Sequence, residues 1–234
     1  MITRFILLLA FVLAPAITQA ASWAPDCKGS DESCKTFQKH LMDGNFETVI
    51  AGVAPNVNYS EEARYYIGKA YLGLAGKEGN TPGQEEAYCR KALEYGQTQA
   101  YMGLYFLTAD TDPKKALGYL REYVATKPGD AVPYVILGES ELENGNYREA
   151  DALLRESKKV GKAKSTRVDF LLFRANYLMK DYSSASEMFG SALQFGKFER
   201  ELKELMADKR FEGIENRPEF SRYRQVLLGA KQKS

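Results

Sequence analysis

The feature that most constrains this chain is a recurrence. ENGNYREADALL, residues Glu143 to Leu154, is echoed by MKDYSSASEMF, Met179 to Phe189: a short turn, an aromatic, two polar residues and an alanine in the same order. Gly138 aligns with Gly103, and Ala150 with Ala116 and Ala185, at spacings of about 34 to 35 residues. A period of that size marks a chain built from repeated supersecondary units, each unable to bury its own apolar face and so obliged to stack on its neighbours. In the clearest unit, 131–163, Tyr134, Leu137, Gly138, Tyr147, Ala150 and Leu154 fall where two antiparallel helices would meet. Gly138 and Ala150 are small, as a close helix crossing requires.

The segment AVPYVILGESELENGNYREADALLRESKKVG resembles a tetratricopeptide repeat, with its aromatic, its Leu-Gly pair, an aromatic near the turn and alanine on the second helix. QAYMGLYFLTADTDPKKALGYLREYVATKPGD is similar through Met102-Gly103, Ala116, Leu120 and Pro128, with a turn one residue longer. RVDFLLFRANYLMKDYSSASEMFGSALQFG keeps Tyr182, Ala185, Phe189 and Ala192 but places Phe173 where glycine belongs, which predicts a wider helix crossing. ARYYIGKAYLGLAGKEGNTPGQEEAYCRKALEYG keeps Ile67-Gly68, Tyr71 and Ala92, with about five extra residues between its helices, and resembles the related α/α repeats with extended turns. FQKHLMDGNFETVIAGV adds a partial unit at 37–53. The resemblance implies an all-α fold, a right-handed α/α solenoid of tetratricopeptide-like helix-turn-helix repeats with a C-terminal capping segment. On this reading 21–32 is an N-terminal segment, 33–196 the repeat array and 197–234 a helical cap and tail. Leu202, Leu205, Phe211, Ile214, Phe220, Tyr223 and Leu227 would cover the last repeat, because a solenoid otherwise ends on an exposed apolar face.

The opening MITRFILLLAFVLAPAITQA places Arg4 before an apolar run from Phe5 to Ala14 and ends on small residues. That run is shorter than the roughly 18 residues a spanning helix needs, so 1–20 reads as a signal peptide cleaved after Ala20. An exported protein of the periplasm or cell envelope, with no transmembrane segment after cleavage, is expected. Nucleic acid is not expected as a partner there. The charge is uneven: residues 21–154 hold 13 Lys and Arg against 20 Asp and Glu, whereas 155–234 hold 18 against 11. Solvated helix faces account for this, and steering of an acidic partner to the C-terminal end is the sharper reading.

Cys27 and Cys34 flank the polar stretch KGSDES and could close a disulfide in an oxidising compartment, while Cys89 falls on a helix stripe as a small apolar residue. His40 is the sole histidine, no nucleophile motif surrounds it, and no glycine-rich phosphate loop follows a strand. Neither catalytic residues, a metal site nor a cofactor is expected, and the protein reads as a non-enzyme. The resemblance implies instead that the first helix of each unit faces a concave groove for a protein or peptide partner. Carried over by alignment, its positions are Tyr65, Lys69 and Leu72; Ala100, Leu104 and Thr108; Val135, Glu139 and Leu142; and Phe170, Arg174 and Tyr177. The family's basic clamp for a terminal carboxylate is not reproduced. The expected role is an adaptor supporting an envelope assembly, with oligomeric state left open. The alternative is a glycan or small-ligand sensor regulating an envelope enzyme, with Tyr65, Tyr101 and Tyr105 as its aromatic platforms.

Overall fold

The computed structural model describes residues 25–27, 31–161, 165–195 and 199–231. Residues 1–24, which hold the expected signal peptide, lie outside them. The described residues form helices and turns and divide into two units, at Lys127 and Pro128. The first contains α1 (Glu32–Met42), α2 (Phe46–Ala51), α3 (Glu61–Ala75), α4 (Pro82–Glu94), α5 (Ala100–Thr108) and α6 (Pro113–Ala125). The second contains α7 (Val132–Glu143), α8 (Tyr147–Gly161), α9 (Thr166–Leu178), α10 (Tyr182–Phe195), α11 (Glu199–Ala207), three short 3₁₀ turns between Lys209 and Tyr223, and α12 (Arg224–Lys231). Helices adjacent in sequence pack as antiparallel hairpins, and successive hairpins pack on one another within each unit. This is an all-α, tetratricopeptide-like repeat fold.

Three of the hairpins repeat one turn. Asp43-Gly44-Asn45, Asn144-Gly145-Asn146 and Met179-Lys180-Asp181 connect their helices in three residues. In each, the middle residue is left-handed: Gly44 has φ +73°, Gly145 +83° and Lys180 +65°. In each, the third residue's N–H reaches back to close the first helix, Asn45 to His40 O at 2.9 Å, Asn146 to Glu141 O at 2.9 Å and Asp181 to Asn176 O at 3.0 Å. The left-handed residue lets otherwise orphaned helix-end carbonyls accept these bonds. The α5–α6 connection has four residues, Ala109 to Asp112. The α3–α4 connection has six, Gly76 to Thr81, and Asn80 Nδ2 donates to Leu74 O at 2.6 Å to hold it. Thr81 and Gln84 close a capping box at its end, with Pro82 as the first helical residue.

Small residues allow the helices to meet. A Cβ on Gly138 would lie 2.9 Å from Leu154 Cγ and 3.4 Å from Ala150 O, so α7 and α8 touch there with no room to spare. A Cβ on Gly73 would press on the Phe46 ring at 2.7 Å, and one on Gly103 on Cys89 Sγ at 2.7 Å. Phe173, where the repeat pattern wants glycine, is wholly buried among Phe189, Phe211 and Phe220, with ring centroids 5.0 to 6.0 Å away. Its ring is the centre that the C-terminal segment covers. Leu202, Leu205, Phe211, Ile214, Phe220 and Leu227 are buried in the same cluster, and Tyr223 packs against it.

Two further devices fasten the ends. Cys27 and Cys34 are joined by a disulfide, their Cα atoms 5.7 Å apart, and the Tyr66 hydroxyl donates to Pro25 O at 2.7 Å. In the second unit the Arg217 guanidinium lies 3.6 Å over the Tyr182 ring and donates to the hydroxyls of Tyr177 (3.2 Å) and Tyr182 (2.8 Å), tying the cap to the final hairpin.

Candidate partner-binding faces

In the first unit, α3 begins where Ser60 Oγ accepts from the Ala63 N–H at 3.1 Å and donates to the Asp31 carboxylate at 2.5 Å. Asp31 also caps α1 through the Cys34 N–H. These bonds, that of Ser60 foremost, hold the Asp31 carboxyl below the usual aspartate range. They fix the start of α3 against α1. One turn into α3, Tyr65 is half-buried with its ring edge-on to Tyr66 at 5.4 Å. Four residues on, Lys69 is half-buried, its Nζ 5.5 Å from the Tyr65 ring centroid. Burial pushes the Lys69 ammonium below the ordinary lysine range and the Tyr65 hydroxyl above the ordinary tyrosine range. Leu72, in contrast, is buried against Ala75, Cys89, Ala92 and Leu104.

The α5 positions carry no accessible face. Ala100 and Leu104 are buried in that same cluster, and Thr108 is buried with its hydroxyl donating to Leu104 O at 2.8 Å. The nine-residue helix AYMGLYFLT is apolar nearly all round; Ala100, Met102, Leu104 and Thr108 are buried, while Tyr101, Tyr105, Phe106 and Leu107 stay half-buried. Tyr105 stands edge-on to Phe106 at 5.1 Å.

In the second unit, Val135 is half-buried on α7, and Glu139 accepts from Arg167 Nη2 of α9 at 2.5 Å. One turn on, Glu143 accepts from Arg174 of α9 at 2.8 Å and lies 3.7 Å from Arg210 of the cap. Arg210 is also gripped by Asp208, its Nε donating to Oδ1 at 3.1 Å and its Nη2 to Oδ2 at 2.7 Å, which raises its pKa above the usual arginine value and lowers that of Asp208. Adjacent first helices are thus joined by a row of ion pairs. Leu142 is buried with Ala150 and Leu154, while Phe170 and Tyr177 belong to the cluster around Phe173. Of the twelve positions carried over from the repeat resemblance, the seven buried ones, Leu72, Ala100, Leu104, Thr108, Leu142, Phe170 and Tyr177, hold the repeats together and offer no surface in this structure. Tyr65, Lys69, Val135, Glu139 and Arg174 remain half-exposed. Sequence reading missed Glu143 and Arg167, whose partners are set by helix register, and Asp208 and Arg210, which pair two residues apart at a turn of the cap.

A cleft of about 540 Å³ opens at the α7–α8 corner, lined by Gly145, Asn146, Tyr147, Arg148, Glu149 and Met179. Among the described residues no group of three or more His, Cys, Asp or Glu side chains could hold a metal ion, and no helix is long and apolar enough to cross a membrane.

Compared with solved structures, the chain is similar to the MamA RS-1 ArsTM double mutant at 19% identity and a TM-score of 0.42. It is also similar to MamA 41-end from Desulfovibrio magneticus RS-1 at 18% identity and a TM-score of 0.41. Each alignment covers 71% of this chain and 96% of the other. No family model matches the sequence, and a search of curated proteins finds no match.

Proposed function

We propose that this chain is an exported, non-enzymatic adaptor of the periplasm or cell envelope that holds a peptide or protein partner against the first helices of its repeats and so supports an envelope assembly. The observation that carries this reading is the division of labour within the hairpins. Each buries its apolar residues against neighbouring helices, while half-exposed aromatic, aliphatic and charged side chains line the first helices: Tyr65 and Lys69 on α3, Val135 and Glu139 on α7, Arg174 on α9. Mixed apolar and charged surface on a rigid helical support suits protein recognition. The row of ion pairs between α7 and α9 also favours a surface that keeps its shape, since Arg174 and Glu143 are already engaged with each other.

The test places a photo-crosslinking residue at Tyr65, at Val135, and at the exposed Glu122 of α6 as control, in the full chain within its own host. Discrete adducts with one partner from positions 65 and 135 and none from 122 are expected. Equal labelling from all three, or none, overturns the reading. Amino-terminal sequencing of the same material is expected to begin at Ala21, and cytoplasmic recovery of an intact leader would overturn the export part.

A further inference from the structure

Among the described residues, the half-buried lysines and arginines have partners, with one exception. Arg174 bonds Glu143 at 2.8 Å, Lys158 bonds the buried Asp169 at 2.5 Å, and Arg217 bonds two tyrosine hydroxyls. Lys69 is buried to a similar degree, yet among the described residues no carboxylate lies within 4.0 Å of its ammonium and no hydrogen bond leaves it. The Tyr65 ring lies beside it, its centroid 5.5 Å from the ammonium. The Tyr65 hydroxyl likewise donates to no described group. The wholly enclosed side-chain atoms without a partner among the described residues are His40 Nδ1 and Glu215 Oε2, so both Tyr65 and Lys69 present their donors to water. Spaced by four residues on α3, they share one helix face.

We propose that Tyr65 and Lys69 form a carboxylate-binding pair that accepts an Asp or Glu side chain from within a peptide segment of the partner. The proposal rests on the adaptor reading and names the chemistry of its ligand. A half-desolvated ammonium has surrendered part of its hydration with no counter-ion to replace it. An incoming carboxylate supplies that counter-ion where water screens the attraction less than at a fully exposed lysine. The phenol, protonated at neutral pH, offers a second donor to the same group. One cation matches one carboxylate. Lys69 is the ninth of the fifteen residues of α3, so a bound segment has helix surface to follow on either side of the contact, which fits an internal acidic residue rather than a chain end.

The experiment selects random dodecapeptides displayed on phage against the immobilised full chain and measures the synthetic winners by fluorescence anisotropy. The expected winners carry Asp or Glu at a common internal position, and changing that residue to its amide weakens binding about tenfold. Lys69→Met abolishes this sensitivity, Lys69→Arg retains it, and Tyr65→Phe, which keeps the packing of the ring, gives a smaller loss. Amidating the peptide C-terminus has no effect. Binding unchanged in both Lys69→Met and Tyr65→Phe overturns the pair while leaving the adaptor reading standing. Sensitivity to the C-terminal amide instead overturns the internal acid. Failure to select any peptide counts against the adaptor reading itself, and the pair falls with it.

Discussion

Two side chains set by their surroundings show what burial does to chemistry here. Cys89 is 2% exposed beneath α5, and burial, with the carboxylates of Glu85 and Glu86 adding to it, pushes its thiol up to about 12. At pH 8 only about one molecule in ten thousand then carries the reactive thiolate. The native protein is expected to resist alkylation at Cys89 and to react once unfolded in urea, read by intact mass; rapid native labelling would contradict the burial. Glu215 is buried at 5% exposure and takes a bond from Lys231 at 2.6 Å, which chiefly holds its carboxyl below the ordinary glutamate value of 4.5. Because the folded pKa lies below the unfolded one, the stabilisation is complete above about 4.5 and is lost as pH falls through the folded value. Urea midpoints of the natural protein and of Glu215→Gln should therefore differ at pH 7 and converge in acid. A gap that persists in acid would show that charge is not its origin.

At the scale of elements, the two middle positions of a hairpin make opposite demands. Gly138→Ala drives a methyl group into Leu154 at the α7–α8 crossing, and a loss of about 1–3 kcal/mol in denaturant unfolding is expected. Lys180 occupies the left-handed turn position that glycine holds in the matching hairpins, so Lys180→Gly should stabilise by about 1 kcal/mol in the same measurement. The glycine, the alanines and the turn were legible in the sequence because each answers a steric requirement that recurs with the repeat. The face was legible only in part. Leu104 and Thr108 align with surface positions of longer helices, but in the nine-residue α5 both are buried. The pairing of Arg167 with Glu139 and of Arg174 with Glu143 joins residues 28 and 31 apart. No local pattern marks such pairs, since helix register alone decides which charges meet. Phe173 breaks the small-residue pattern because it packs toward the cap, a partner found only outside the repeat.

For the whole molecule, the acidic and basic portions of the sequence meet at Leu154, within the second unit, so charge and packing divide the chain at different places. The second unit depends on its closing clasp. Arg217→Ala removes a cation–π contact and two charge-assisted hydrogen bonds at once, and about 1–3 kcal/mol should be lost from its unfolding, followed by hydrogen exchange in α9 and α10. Unchanged exchange there would mean that the phenylalanine cluster closes the stack unaided. The clasp bears on how such a chain can lengthen over generations. A row of like hairpins has no intrinsic last member, and a copied hairpin appended after Phe195 would find its seat already taken by Phe211 and Phe220. A further hairpin would therefore have to enter ahead of the capping segment, which stays last however many hairpins precede it.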